Sequence, residues 1–386
     1  MDAQIVGWGH TPFGRHKEKT LEDLILEVAK EAIEHAGITP ADIDSIWLGN
    51  FNSGMVPDSF ASSLVLGLDD SLRFKPATRL ENACASGSAA VYAARDSIRS
   101  GASKITLVIG AEKMTELDTA GVTKALAGAS YQKEEAHLSF PAVFGQFASA
   151  YFDAYGDHSK TLAKIAQKNH INAVNNPLAH MRRAFEFDFY NEVSNKNPQI
   201  APPLRLTDCS LISDGAAALI MVSDEVADDF EHQIAFKSAV HVNDFLPMSK
   251  RKPLEFEGPR EAFSRAFSAA GITANDLDFA EVHDCFTIAE LLIYEAMGLA
   301  KQGQGASLLE DGTVMADGRL PINLSGGLKA KGHPVGATGV SMHVMAAKQL
   351  TGTAGDIQKA GAELGCVFNM GGSGVANYCS ILELAK

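Results

Sequence analysis

Apolar positions along the chain follow two alternating spacings. Residues 21–35, LEDLILEVAKEAIEH, place apolar side chains three and four apart, the stripe of an amphipathic helix. The segment AGITPADID follows, then the short apolar run SIWLG, which predicts a strand. The same succession returns in the second half as PREAFSRAFSA, AGITANDLD and the strand-like FAEVH. A helix–turn–strand unit written twice predicts two similar halves related by a pseudo-dyad.

The rest of each half continues the alternation. Residues 104–110 and 213–223 predict strands in the first half, and 363–370 and 374–384 the matching pair in the second. Ala-rich helices begin near Cys84 and Ala337 and are apolar nearly all round, which places them inside a layered core between sheets. Residues 115–206 have no counterpart in the second half. They carry helical runs such as KTLAKIAQKNHINAV and the turn-rich NEVSNKNPQIAPPLR, and predict an inserted lid or substrate-binding subdomain. The expected division is 1–114 with 207–245 as the N-terminal half, 115–206 as the insertion, and 246–386 as the C-terminal half.

Composition narrows the function classes. At 386 residues and 46% hydrophobic, the chain can bury one large core or two ordinary ones. A net charge of -14 argues against nucleic acid, since no excess of Lys and Arg is present to displace phosphate counterions. Five scattered cysteines without a CxxC pair suggest free thiols in a reducing compartment. The N-terminal residues lack a signal-peptide pattern, and no stretch approaches the ~20 apolar residues of a membrane span. A cytoplasmic protein is expected.

The residues able to do chemistry fall in three segments. Asn82-Ala83-Cys84-Ala85-Ser86-Gly87 sets a thiol at a helix start, where the macrodipole and unpaired N–H groups favour thiolate and predict a lowered pKa. In His283-Asp284-Cys285-Phe286, residues two apart share a face of extended chain, so His283 and Cys285 should meet one cavity beyond the end of a strand. A helix start after Cys285 predicts a lowered pKa there too. Gly332-His333-Pro334 lies in a glycine-rich window, NLSGGLKAKGHPVGATG, that lacks the spacing of a phosphate loop. The turn Asn369-Met370-Gly371-Gly372-Ser373-Gly374 offers N–H groups to join that of Cys84 in an oxyanion hole. Two thiols and two imidazoles without metal-ligand spacing suit carbon–carbon acyl transfer. One thiolate carries the acyl group, the second thiol moves a proton, and the imidazoles stabilise charge on oxygen. Cys366 and Cys379 lie in apolar runs and are expected in the core, Cys209 is expected to be structural, and His170 and His180 are expected on solvated faces.

These segments, with DGAAAL at 214–219, resemble the thiolase superfamily along the whole chain, and specifically its sterol-carrier-protein-type branch. Conventional thiolases have Asn-Glu-Ala-Phe where this chain has His283-Asp284-Cys285-Phe286, and a Cys-x-Gly-Gly-Gly turn where it has Asn369-Met370-Gly371-Gly372. The resemblance implies an α/β five-layered αβαβα fold of two duplicated halves with an inserted loop domain, and an acyl-CoA C-acyltransferase such as an acetyl-CoA acetyltransferase. It implies that Cys84 becomes acylated and that Cys285 moves the α-proton of the second thioester. His333 would activate Cys84 and bind the enolate oxygen, His283 would hold a water in the same hole, and the N–H groups of Cys84 and Gly371 would form a second hole. No cofactor or metal is expected, only coenzyme A thioesters as substrates. Arg182-Arg183 and Lys250-Arg251-Lys252 are the basic clusters offered to the coenzyme A phosphates. A homodimer or homotetramer is implied, with a small zinc-ribbon/OB-fold protein as a candidate partner. The competing readings are a retro-aldol lyase or a ketosynthase on the same fold, or a non-catalytic subunit of a larger assembly.

Overall fold

The computed structural model describes residues 2–385. Its strands are β1 (Ala3–His10), β2 (Ser45–Gly49), β3 (Ala77–Leu80), β4 (Ile105–Glu112), a small ribbon of β5 (Gln199–Ala201) and β6 (Leu204–Arg205), then β7 (Gly215–Ser223), β8 (Ile234–Asn243), β9 (Phe279–Val282), β10 (Leu364–Gly371) and β11 (Ala376–Leu384). Nine of them form one sheet in the order β3-β2-β4-β7-β1-β8-β11-β10-β9. The duplication is visible in that order. In the first half β2 and β4 run parallel, and β7 and β1 follow antiparallel. In the second half β9 and β10 run parallel, and β11 and β8 follow antiparallel, so β8 belongs to this half and not to the N-terminal half that the expected boundary at 245 gave it. The counterpart of β3 shrinks to a single parallel bridge between Ala280 and Ile322. Only Gln4 with Ala235 and Ile5 with Ile234 join the halves across β1 and β8.

The repeated nonapeptide has a physical reason at each position. Gly37 and Gly271 end the two outer helices in the left-handed region, at φ 70° and 67°. Thr39 with Asp42, and Thr273 with Asp276, then close the same capping box on a short 3-10 turn. The final aspartates, Asp44 and Asp278, accept two backbone N–H groups each from the residues that open β4 and β10. The motif therefore ends a helix, turns the chain and ties in the neighbouring strand.

The helices Leu21–Ala36 and Glu257–Ala270 cover the outer faces of the two halves, packing on β1, β7 and β4 and on β8 and β11 respectively. The helices Ser86–Arg99 and Thr338–Leu350 lie between the halves, and the second of them touches strands of both. Thr338–Leu350 is buried on nearly every side and Ser86–Arg99 over its first two turns, and together they complete an αβαβα layering. Their N-terminal turns meet in backbone contact. A Cβ on Gly87 would lie 2.8 Å from the Gly336 carbonyl, and one on Gly339 would lie 2.2 Å from the Ser88 nitrogen. The residues 115–206 form a helical excursion whose helix Phe140–Tyr155 packs over the second half, where Phe144 stacks on Phe286 at 4.5 Å. Among the described residues no helix is long and apolar enough to cross a membrane.

Candidate active site

The close approach of the two central helices brings the loops before them together. Cys84 sits two residues ahead of the first, after Ala83, which is held at φ 49°. That left-handed residue costs on the order of 1–3 kcal/mol. Ser86 restrains the bend by donating its hydroxyl to the Ala83 carbonyl at 2.6 Å and accepting from the Asn82 N–H at 2.9 Å. His333 comes from the loop before the second central helix. Asp284 links that loop to the β9 end, because it accepts the N–H groups of Leu328 and Lys329 at 2.6 and 3.1 Å. The Cys84 sulfur and a nitrogen from each of His283 and His333 all lie within 4.8 Å of one another, and all three residues are buried.

Hydrogen bonds fix the two imidazoles in opposite tautomers. The Thr338 hydroxyl donates to the Pro334 carbonyl at 2.9 Å, so it accepts from Nδ1–H of His333 at 2.7 Å and leaves Nε2 bare. The Asn369 amide is oriented by the Cys84 carbonyl, which can only accept, at 3.2 Å, and by the Ser88 hydroxyl, which donates to its oxygen at 2.8 Å. The same amide nitrogen donates to Nδ1 of His283 at 2.9 Å. The proton of His283 is therefore on Nε2, and that buried atom has no partner among the described residues. One ring offers a lone pair and the other an unused N–H. Burial lowers both pKa values: His333 falls to about 3, with Lys331 contributing, and His283 falls well below its usual value, with His333 contributing. Both rings are neutral at working pH.

This arrangement bears on metal binding. A ligating Nε2 of His283 would need its proton on Nδ1, directly against the Asn369 amide donor. The donor set fits a hydrogen bond to an oxygen better than a metal ion.

Burial overrules the helix-start argument for both thiols. It pushes Cys84 up to about 12, against the lowering influence of the Gly372 N–H, and pushes Cys285 well above the usual thiol range. Cys84 has no helical turn directly on it, and the low-dielectric surroundings disfavour the charged form more than a dipole end favours it. The N–H that lowers the Cys84 pKa belongs to Gly372, next to the expected Gly371 in the same turn. Gly371 stays in the β10 ladder opposite Ala376, and its carbonyl accepts from Val375.

Cys84, Cys285 and His333 line one cavity of about 200 Å³, walled mainly by apolar side chains. The insertion supplies much of that wall through Leu126, Phe140 and Ile200. Cys209 also lines it, contrary to the purely structural role expected. A bridge to Phe286 and the Ser210 N–H on the Cys285 carbonyl bring it there, through a long-range pairing that leaves no mark on local sequence. His170 is buried rather than solvated, with Nδ1 on the Arg183 carbonyl, and burial lowers its pKa to about 3. His180 is partly buried against the Ser213 hydroxyl at 2.8 Å. Cys366 and Cys379 are core residues, with sulfurs 3.9 Å apart. Of the basic candidates, Lys250, Lys252, Arg182 and Arg183 are exposed, whereas Arg251 turns inward.

Comparison with known proteins identifies the family. The N-terminal thiolase domain model matches residues 3–186, and the thiolase C-terminal-like domain model matches residues 241–384. An acetyl-CoA acetyltransferase of Methanothermobacter thermautotrophicus is 37% identical over 378 residues, covering 97% of each chain. Human sterol carrier protein 2 is 32% identical over 390 residues, covering 95% of this chain and 69% of that protein. Among solved structures, the Ltp2-ChsH2(DUF35) aldolase superposes with a TM-score of 0.85 at 22% identity, covering 100% of this chain and 98% of that one. Human mitochondrial 3-ketoacyl-CoA thiolase in complex with CoA superposes with a TM-score of 0.76 at 18% identity over the same shares.

Proposed function

The chain belongs to the thiolase family, and from that premise we propose an acyl-CoA C-acyltransferase that forms or cleaves a 3-ketoacyl-CoA through an acyl group on Cys84. The opposite tautomers of His333 and His283 carry this reading. The bare Nε2 of His333 takes the Cys84 proton as the sulfur attacks a thioester carbonyl. The N–H groups of Cys84 and Gly372 receive the oxyanion, and coenzyme A leaves with the proton returned from His333. A second thioester then places its oxygen at the free N–H of His283. That donor has no other partner and gains most when the oxygen becomes an enolate. Cys285, its own proton passed to the again neutral His333, takes the α-proton as thiolate, the carbanion attacks the acyl carbonyl, and the Cys84 sulfur is released with the proton held by His333. Thiolysis is the same path reversed. Two acetyl-CoA giving acetoacetyl-CoA is the simplest case.

Metal and cofactor play no part in this scheme. Coenzyme A thioesters are substrates, with Arg182, Arg183, Lys250 and Lys252 as the exposed cations available to their phosphates. Assembly as a dimer is supported by the short half-exposed edge strand β3 and by Phe60 and Phe74, which are 80% and 86% exposed. A cytoplasmic setting suits five free thiols. The second reading is a retro-aldol lyase working with a partner of the DUF35 kind, favoured by the likeness to that aldolase. A lyase needs no acylated cysteine, so one measurement separates the two. Intact mass after mixing with acetyl-CoA should show an added acetyl group on the wild type and none on Cys84→Ala. A wild type that stays unmodified refutes the acyltransferase.

A further inference from the structure

Arg251 stands in the middle of the basic run offered to coenzyme A phosphates, and its side chain does something else. Lys250 and Lys252 are exposed on either side of it. The Arg251 guanidinium instead donates from Nη1 to the Ser373 carbonyl and from Nη2 to the Ser373 hydroxyl, both at 2.6 Å. A longer contact of 3.5 Å reaches the Leu246 carbonyl. Two short bonds from one planar fork to the backbone and side chain of a single residue fix that residue in position and orientation. No carboxylate pairs with this guanidinium within 4.0 Å among the described residues. Its charge-assisted bonds go to the turn.

Ser373 follows Gly371 and Gly372 in a turn packed on the nucleophile loop: Asn369 donates to the Cys84 carbonyl at 3.2 Å, a Cβ on Gly371 would lie 2.2 Å from the Asn82 carbonyl, and the Gly372 N–H lowers the Cys84 pKa. The turn around it is built from backbone that needs holding. Gly372 and Gly374 sit at φ 63° and 80°, in a region glycine enters and leaves freely. The Val375 N–H on the Gly371 carbonyl ties the base of the turn, and Arg251 is the side chain that grips its tip. An oxyanion donor is effective only if it is already placed when charge develops.

We propose that Arg251 is a positioning residue that clamps Ser373 and thereby holds the Gly372 N–H on the acyl-transfer centre. This rests on the reading that Cys84 is acylated, and it assigns Arg251 a task distinct from phosphate binding.

The two roles separate on a truncated substrate. Acylation of Cys84 is followed by rapid-quench intact mass, with acetyl-CoA and with S-acetyl-N-acetylcysteamine, which has no phosphates. Arg251→Met should slow acylation about 10–10²-fold on both substrates, a partial loss of one oxyanion donor, with the half-saturating acetyl-CoA concentration nearly unchanged. Guanidinium at millimolar concentration should restore part of the rate, and Arg251→Lys should fall between. Ser373→Ala should cost less, and its effect should not add to that of Arg251→Met, because both loosen the same turn. Thermal unfolding of each variant separates a collapsed fold from a misplaced turn. A loss confined to acetyl-CoA, with wild-type rates on the truncated thioester, assigns Arg251 to phosphate and overturns the proposal, as does an unchanged rate on both. Wild type that acylates while Arg251→Met matches it sinks only the positioning role. Wild type that never acylates sinks the acyltransferase reading and this proposal together.

Discussion

Replacing Asn369 by Asp changes one amide nitrogen to oxygen and should move a proton on another residue. In the wild type the amide nitrogen donates to Nδ1 of His283 at 2.9 Å, which leaves the ring proton on Nε2. A carboxylate at the same place accepts, draws the proton to Nδ1 and leaves Nε2 bare. The cluster of Cys84, His283 and His333 then offers two imidazole lone pairs and no imidazole N–H, so the enolate oxygen loses its donor. Removing one such donor costs about 10²–10³-fold in kcat, or about 2.7–4 kcal/mol. The fold pays separately, because the Cys84 carbonyl at 3.2 Å would face an acceptor, at about 1–3 kcal/mol for the lost buried bond. The assay is solvent deuterium exchange into the α-position of acetyl-CoA, with Cys84 acylation measured alongside. Asn369→Asp should slow exchange by two to three decades and acylation much less. His283→Ala should give a similar loss, and the double variant should be no slower than either alone. Ser88→Ala is the control, since the Cys84 carbonyl still orients the amide. Additive losses in the double variant, or wild-type exchange in Asn369→Asp, would refute the assignment of the His283 proton.

Three other outcomes follow from the site. Cys285→Ala should still be acylated on Cys84 yet fail to exchange α-protons, while Cys366→Ala, whose sulfur is buried against Cys379, should keep turnover; the reverse result moves the proton work to the C-terminal turn. Acylation by acetyl-CoA should vary by less than about threefold between pH 7 and 9, because Cys84 at about 12 and His333 at about 3 both titrate outside that window. A tenfold rise per pH unit would show that free thiolate is the reactant. Acid should weaken the fold through buried neutral imidazoles, since His10 and His333 at about 3 and His343 at about 4 stay unprotonated while the unfolded chain binds protons below about 6.5. Stability is therefore lost as pH falls from that value, by about 2 kcal/mol per such histidine at pH 5, and a denaturant midpoint unchanged between pH 7 and 5 would contradict it.

Much of the fold was legible in the sequence because it was written in local chemistry. The nonapeptide at 36–44 and again at 270–278 carries its own helix end, capping box and strand tie, so two copies announce two like halves. The strand runs and the two all-round apolar helices follow from side-chain spacing in the same way. What escaped depends on surroundings that no local window contains. The helix start near Cys84 argued for a lowered thiol pKa, but burial acts in the opposite sense and prevails. His170 looked solvated on a polar stretch, yet the excursion folds that face inward. Arg251 is indistinguishable in sequence from Lys250 and Lys252, and only the turn at Ser373 sets it apart.

The Asn369 amide also constrains how such a site can change by descent. It touches the Cys84 carbonyl, the Ser88 hydroxyl and His283 at once. Thiolases that carry a cysteine at this turn have no imidazole at the position of His283 whose proton needs setting. A single exchange of Asn369 for cysteine here would add a thiol and strip the donor that fixes the existing ring. The reciprocal exchange at Cys285 alone would leave Cys84 without a second thiol. Each exchange by itself removes one part of the arrangement, so the positions of the amide and of the second thiol are coupled through the His283 proton.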